Sequence, residues 1–237
     1  MNSKSGLPER LARNVPIDPA ALQVQKRNIL RSLAMEERDA DEYLSGLIDE
    51  LTETCRSMLQ PRATFMVYSR PIFQKDAGTM TLGGQCFDLG KLAISFLKNS
   101  EYMAVFAGTC GPAIEAFSKK LIGDNQGLEG YLADLIASEF AEGVAEKAHE
   151  EIEKLALENN LSITNRYSPG YCNWPVSDQH KLFSLLQGHT SGIAVTPSSL
   201  MTPVKSVSGM VGIGQKVKKM GYKCRYCDDE KCLMRGK

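Results

Sequence analysis

Residues 162–175 read SITNRYSPGYCNWP. The opening residues are β-favouring and the Pro169–Gly170 pair turns the chain, so the stretch is a strand leading into a turn, with an arginine at the strand's end. Arg166 there offers five donors in a fixed fork, which suits a carboxylate or phosphate held by two bonds at once. Proline contributes no N–H and glycine permits close approach, so a ligand can lie against the turn. Tyr167, Tyr171 and Trp174, the only tryptophan of the chain, stand beside it and suit either a flat ring or a cation. The competing reading is a tight turn whose aromatics plug the core and whose arginine pairs with a helix carboxylate.

Working outward, apolar positions recur at helical spacing from about Leu128 to Asn159, with Leu132, Leu135, Ile136, Phe140, Val144, Ile152 and Leu155 in one buried stripe. Glu139, Glu142 and Glu146 fall on other faces, either solvated or placed near a cofactor. Downstream, Ser177 is read as the cap of a short helix, DQHKLFSLLQ, that Gly188 ends. GIAVT and KSVSGMVGIG follow as β-rich runs, and SVSG at 206–209 marks either sheet packing or a place where a ligand meets backbone.

Upstream, Asp18 before Pro19 reads as the cap of a helix running through AALQVQKRNILRSLAM. Leu44, Leu47, Ile48, Leu51, Cys55 and Met58 predict a second helix that Pro61 stops. TFMVYS, TMTLGG and EYMAVFAGT read as strands, LGKLAISFLKN as a helix between the last two, and a further helix begins at Pro112 and breaks around 123–127.

The chain of 237 residues carries 28 basic and 28 acidic residues, which leaves no electrostatic footprint for nucleic acid or an anionic membrane. No apolar run approaches the roughly 20 residues of a membrane span, and the polar start MNSKSGLPER lacks a signal peptide's apolar core, so the expected location is the cytoplasm. Seven cysteines in a chain of this size point to thiols or metal ligands rather than disulfides. Cys224, Cys227 and Cys232 form C-x2-C-x4-C, which fits zinc or an iron–sulfur cluster, with Cys172 or Cys110 as a possible fourth ligand, or free redox-active thiols. His149, His180 and His189 have no metal spacing and read as surface or capping residues.

The order R-x-x-P-G-Y-x-x-x-P, a short helix, then M-x-P-x-x-S-V-S-G resembles the S-adenosylmethionine-binding activation domain of cobalamin-dependent methionine synthase, and most of all its freestanding members. The resemblance is good from about Leu128 to Ile213 and extends more weakly over 42–111. It implies an α+β domain with a twisted, mainly antiparallel sheet and long helices packed around it. Residues 1–40 are then a helical N-terminal extension, 41–215 the activation-domain-like unit and 216–237 a cysteine-containing tail.

In function, the resemblance implies a methyltransferase activation component of methionine biosynthesis. The inactive cob(II)alamin of a partner is reductively methylated, with an electron from a flavodoxin- or ferredoxin-like donor and a methyl group from S-adenosylmethionine. The partner is a cobalamin-binding methionine synthase lacking its own activation domain, or another corrinoid protein. Carried over by motif, Arg166 holds the carboxylate of S-adenosylmethionine, Ser168 and Gly170 line it, and Tyr171 sits at the reacting edge in a positional role. Ser206, Ser208 and Gly209 lie near the nucleoside, with Glu142 and Glu146 on the long helix. Full-length members have aromatics after Val-Ser-Gly where this chain has Met210-Val211-Gly212, and Lys205 replaces a small residue. The alternative function is a corrinoid-protein docking or redox module with its metal or cluster in the cysteine tail.

Overall fold

The computed structural model describes residues 6–171 and 173–220. In chain order its elements are β1 (Arg10–Val15), α1 (Lys26–Ser32), α2 (Glu42–Ser57), β2 (Arg62–Ser69), β3 (Ile72–Gln74), β4 (Thr79–Leu82), β5 (Gln85–Asp88) and α3 (Gly90–Leu97). Then follow β6 (Tyr102–Thr109), α4 (Ala113–Gly123), α5 (Gly127–Glu158), β7 (Ser162–Tyr167), α6 (Gln179–Leu185), β8 (Ala194–Val195), β9 (Met201–Thr202) and β10 (Ser206–Gly214).

Five strands form one antiparallel sheet in the order β1-β2-β6-β10-β7, which is the expected α+β arrangement. Period-two alternation divides its side chains. Ala63, Phe65, Val67, Ala104, Phe106, Val211 and Ile213 face α5, while Met66, Tyr68, Met103, Val105, Ala107 and Met210 face α3, α6 and the small sheet β3-β4-β5. Each face is therefore covered by its own apolar layer.

The 32-residue α5 spans about 48 Å and is the axis of the first layer. It is buried on more than one side, against the sheet and against α2 and α4, which explains its run of small buried residues: Ala133, Ala137, Ala141, Ala145 and Ala148. Small side chains let backbones approach closely; a Cβ added at Gly108 of β6 would come within 2.6 Å of Val144 on α5. α2 starts where Asp41 accepts a hydrogen bond from the Leu44 amide at 2.7 Å, and it buries Ile48, Leu51 and Cys55.

Three expectations need correction. Residues 10–15 are not helical: they pair with β2 through the full length of β1. Asp18 does cap a turn, accepting from the Ala20 amide at 3.0 Å, but the turn is a single 3-10 segment, Pro19–Ala21. The chain then extends so that Leu22 can bury, and the helix restarts only at Lys26. Ser177 caps nothing: it lies inside a 3-10 turn, Val176–Asp178, that runs directly into α6. Gly188, at φ +88°, does close that region. Among the described residues no helix is long and apolar enough to cross a membrane.

Candidate functional site

A slip in register decides where Arg166 points. Along β10, Val211 opposes Arg166 and Ile213 opposes Ile163, so two residues on one strand span three on the other. That is a β-bulge at Thr164–Asn165. In a regular strand, residues three apart face opposite sides; the bulge puts both Ile163 and Arg166 on the α5 side. Its polar groups are satisfied locally. Gly212 N–H donates to Thr164 Oγ1 at 2.9 Å, and the Thr164 carbonyl faces His149 Nε2 at 3.0 Å. Asn165 holds the following segment with its side chain, donating to the Met220 carbonyl at 2.7 Å and accepting from its amide at 2.8 Å.

Delivered to α5, the Arg166 guanidinium meets two carboxylates spaced one helical turn apart. Nη2 lies 3.4 Å from Glu142 and 3.5 Å from Glu146. Both contacts are long, and the acids are half exposed while the arginine side chain is only 16% exposed. Nη1 is buried and has no hydrogen-bond partner among the described residues. An orphaned donor of this kind is costly, on the order of 1–3 kcal/mol, and is the natural seat of an anionic ligand group. Glu139, the third acid, is engaged elsewhere, accepting from Gln25 N and Asn28 Nδ2.

The turn after β7 stands beside this cluster. Gly170 has φ +96°, a conformation that favours glycine, and its amide donates to the Trp174 carbonyl at 2.8 Å. Tyr171 and Trp174 close the same turn, with the Tyr171 amide donating to Ser168 O and the Trp174 amide to Tyr171 O. Tyr171 is 70% exposed. Gly209 of β10 packs under the turn: a Cβ there would lie 2.6 Å from Tyr167 O and 2.9 Å from Ser168 Oγ. Arg166, Glu142 and Glu146 thus cluster on the α5 side, Ser168 and Gly209 approach each other on the same side, and Gly170 and Tyr171 lie on the turn that follows.

Ser206 and Ser208 do not join this cluster through their side chains. They share the strand face of Met210, opposite Arg166. Ser208 Oγ accepts from Gln179 of α6 at 2.5 Å, and Ser206 Oγ donates to the Pro203 carbonyl at 2.7 Å. Trp174 is likewise a core residue. It is buried edge-on against Phe87, and its indole N–H donates to Asp178 at 3.0 Å. Lys205 is bound to α5, 2.8 Å from Asp134 and 3.0 Å from Ser138 Oγ.

The sequence reading also misplaced His149, which is buried at 6% exposure beneath β7 rather than on the surface. Its signal was available in its helical spacing, four residues after Ala145 and three before Ile152 on the buried face. Cys110 is fully buried in the core, and burial pushes its thiol up to about 11. Cys172, Cys224, Cys227 and Cys232 lie outside the described residues, among which no metal-ligand cluster occurs. A mainly apolar recess that also carries Asp39 and Asp41 opens between Leu33, Leu44 and Leu128 near the start of α5, away from Arg166.

A crystal structure described as the MetH reactivation domain bound to AdoHcy superposes with a TM-score of 0.62, covering 94% of this chain and 84% of that one at 16% sequence identity. At that identity the likeness establishes the fold. The family described as vitamin B12 dependent methionine synthase, activation domain, matches residues 92–232, more than half of the chain. This chain belongs to that family. The match runs past β10 through Cys224, Cys227 and Cys232, so the cysteine tail lies within it rather than outside, as the motif resemblance had implied.

Proposed function

We propose that this protein binds S-adenosylmethionine at the Arg166 neighbourhood and serves to reactivate a cobalamin carried by a methionine synthase, or related corrinoid protein, in the cytoplasm. The observation that carries the reading is the buried, unpartnered Nη1 of Arg166 beside two half-exposed carboxylates. A guanidinium donor and helix carboxylates at this spacing match the two ends of a zwitterionic amino acid, with the ligand carboxylate at Nη1 and its amino group at Glu142 or Glu146. Family membership and the AdoHcy of the structurally similar MetH domain support the same ligand. When bound, S-adenosylmethionine supplies the methyl group, and a flavodoxin- or ferredoxin-like donor supplies the electron, for reductive methylation of the partner's cob(II)alamin.

The chain's own residues position rather than react. Arg166 and the acids fix the amino-acid end, Gly170 and Gly209 keep the turn close, and exposed Tyr171 stands where a second macromolecule can approach. No general base is required of them. Isothermal titration of S-adenosylmethionine into the protein tests the reading: binding is expected, weakened about tenfold to a hundredfold in Arg166→Ala through loss of charged hydrogen bonds. Absence of binding to the unaltered protein would overturn it.

A further inference from the structure

His149 bonds the bulge at Thr164 and takes no part in the ligand contacts proposed above. It sits on α5, three residues after Glu146, with its ring beneath β7. Nε2 is 3.0 Å from the Thr164 carbonyl, which can only accept, so Nε2 carries a hydrogen in either protonation state. In the neutral ring Nδ1 is therefore a bare lone pair. It faces Glu146 Oε1 at 3.9 Å, too far for a hydrogen bond, while Oε2 of the same carboxylate is 3.5 Å from Arg166 Nη2. One carboxylate stands between two nitrogen groups, and one of them can gain a proton.

We propose that His149 is a positioning residue for Glu146: as the neutral ring it leaves the carboxylate to Arg166 and the ligand's amino group, and as the imidazolium it draws the carboxylate away. The ligand's identity rests on the function proposed above; the His149–Glu146–Arg166 coupling does not. The charged groups facing the ring are Glu146 from its own helix, Arg166 from β7 and Lys219 from the C-terminal segment, the last paired with Glu153 at 2.6 Å. Burial is the main effect holding the imidazole's proton affinity below its ordinary value; the Thr164 carbonyl and Glu146 oppose it, and Lys219 and Arg166 add to it. The neutral, site-competent form is thus the resting form near pH 7, and the withdrawn form appears below the usual histidine range.

The test compares wild type with His149→Gln, whose amide can still donate to the Thr164 carbonyl but does not titrate. S-adenosylmethionine affinity is measured by calorimetry from pH 7.5 to 5; over this range the ligand's α-amino group, with an ordinary pKa of about 7.7–8.0, and isolated carboxylates each change affinity by less than about twofold. Wild-type Kd should rise about tenfold toward pH 5, as a charge-assisted contact is lost, while His149→Gln matches wild type at pH 7.5 and stays flat. A flat wild-type profile, or the same slope in His149→Gln, would overturn the proposal.

An NMR titration without ligand decides the coupling independently. The Arg166 Nε–H resonance should move with the midpoint of the His149 ring in wild type and not in His149→Gln; an Arg166 signal indifferent to that midpoint also overturns it. Failure of S-adenosylmethionine to bind at any pH counts against the proposed function, and the NMR result then stands alone on His149.

Discussion

Gly209→Ala is the sharpest probe of how the turn is held against β10. A Cβ at this position would lie 2.6 Å from Tyr167 O, 2.9 Å from Phe106 Cε1 and 2.9 Å from Ser168 Oγ. Carbon–oxygen contacts between neighbouring strands settle at about 3.3–3.6 Å, so the Tyr167 carbonyl must retreat by about 0.7 Å or more. It is backbone within a paired strand and cannot swing aside as a side chain would. Overpacking of this kind costs about 1–3 kcal/mol, and with a urea slope of about 2–3 kcal/mol/M the midpoint should fall by about 1 M. Because the strain falls between Tyr167 and Ser168, S-adenosylmethionine affinity should fall by more than tenfold in protein that is still folded. Gly46→Ala is the matched control: it lies within α2, an added Cβ meets nothing within 4 Å, and the change should stabilise by about 0.5–1 kcal/mol. Equal urea midpoints for Gly209→Ala and wild type would refute the reasoning.

Asp178→Ala removes the acceptor of the Trp174 indole and the Asp88 amide and the partner of Lys181, and should destabilise by about 3 kcal/mol. Emission from the only tryptophan should shift to the red; an unshifted spectrum with unchanged stability would show that the hydrogen bonds at Asp178 do not hold the turn. Since His149 takes up protons less readily folded than unfolded, the unfolded chain binds more protons below the ordinary histidine range. Its contribution to stability is therefore full above pH 6.5 and is lost as pH falls through the folded value; urea midpoints at pH 7.5 and 5 should differ less in His149→Gln than in wild type. Burial pushes Cys55 up to about 12 and Cys110 up to about 11, so neither should alkylate in folded protein at pH 8, whereas exposed Cys86 should. Peptide mapping after iodoacetamide checks this, and labelling of Cys55 before unfolding would contradict it.

What the sequence disclosed followed the length and regularity of its patterns. α2, α5 and β10 are long enough that periodicity outweighs local ambiguity. β1 escaped because RLARNV is too polar and too exposed to alternate visibly; it is a strand because β2 pairs with it residue for residue. The break before α1 reflects a tertiary demand, the burial of Leu22 close to Gly143 on α5.

At the site, residue type alone marked Arg166 and the two acids as candidates but could not choose between an ion pair and a ligand fork. The structure shows both tendencies at once, with Nη2 facing the acids and Nη1 unpartnered. Which way Ser206 and Ser208 face was not legible, because strand parity is fixed only by pairing with β6 and β7. Trp174 looked like a ligand cover for the same reason that it makes a good plug: one broad apolar surface with one polar handle.

The bulge in β7 has an arithmetic consequence. Pleated chain counts in twos, and the interval from Ile163 to Arg166 is odd. Pairing the same residues as a regular strand, without the bulge, would keep the arginine, both glutamates and the Pro-Gly turn in the sequence, yet would send the guanidinium to the sheet face occupied by Gln179 and Ser208. The address of the charge is thus written in the pairing register, in whether one residue is left over, as well as in residue identity. A relative that lacks the extra residue and the bulge together would therefore still aim its arginine at α5.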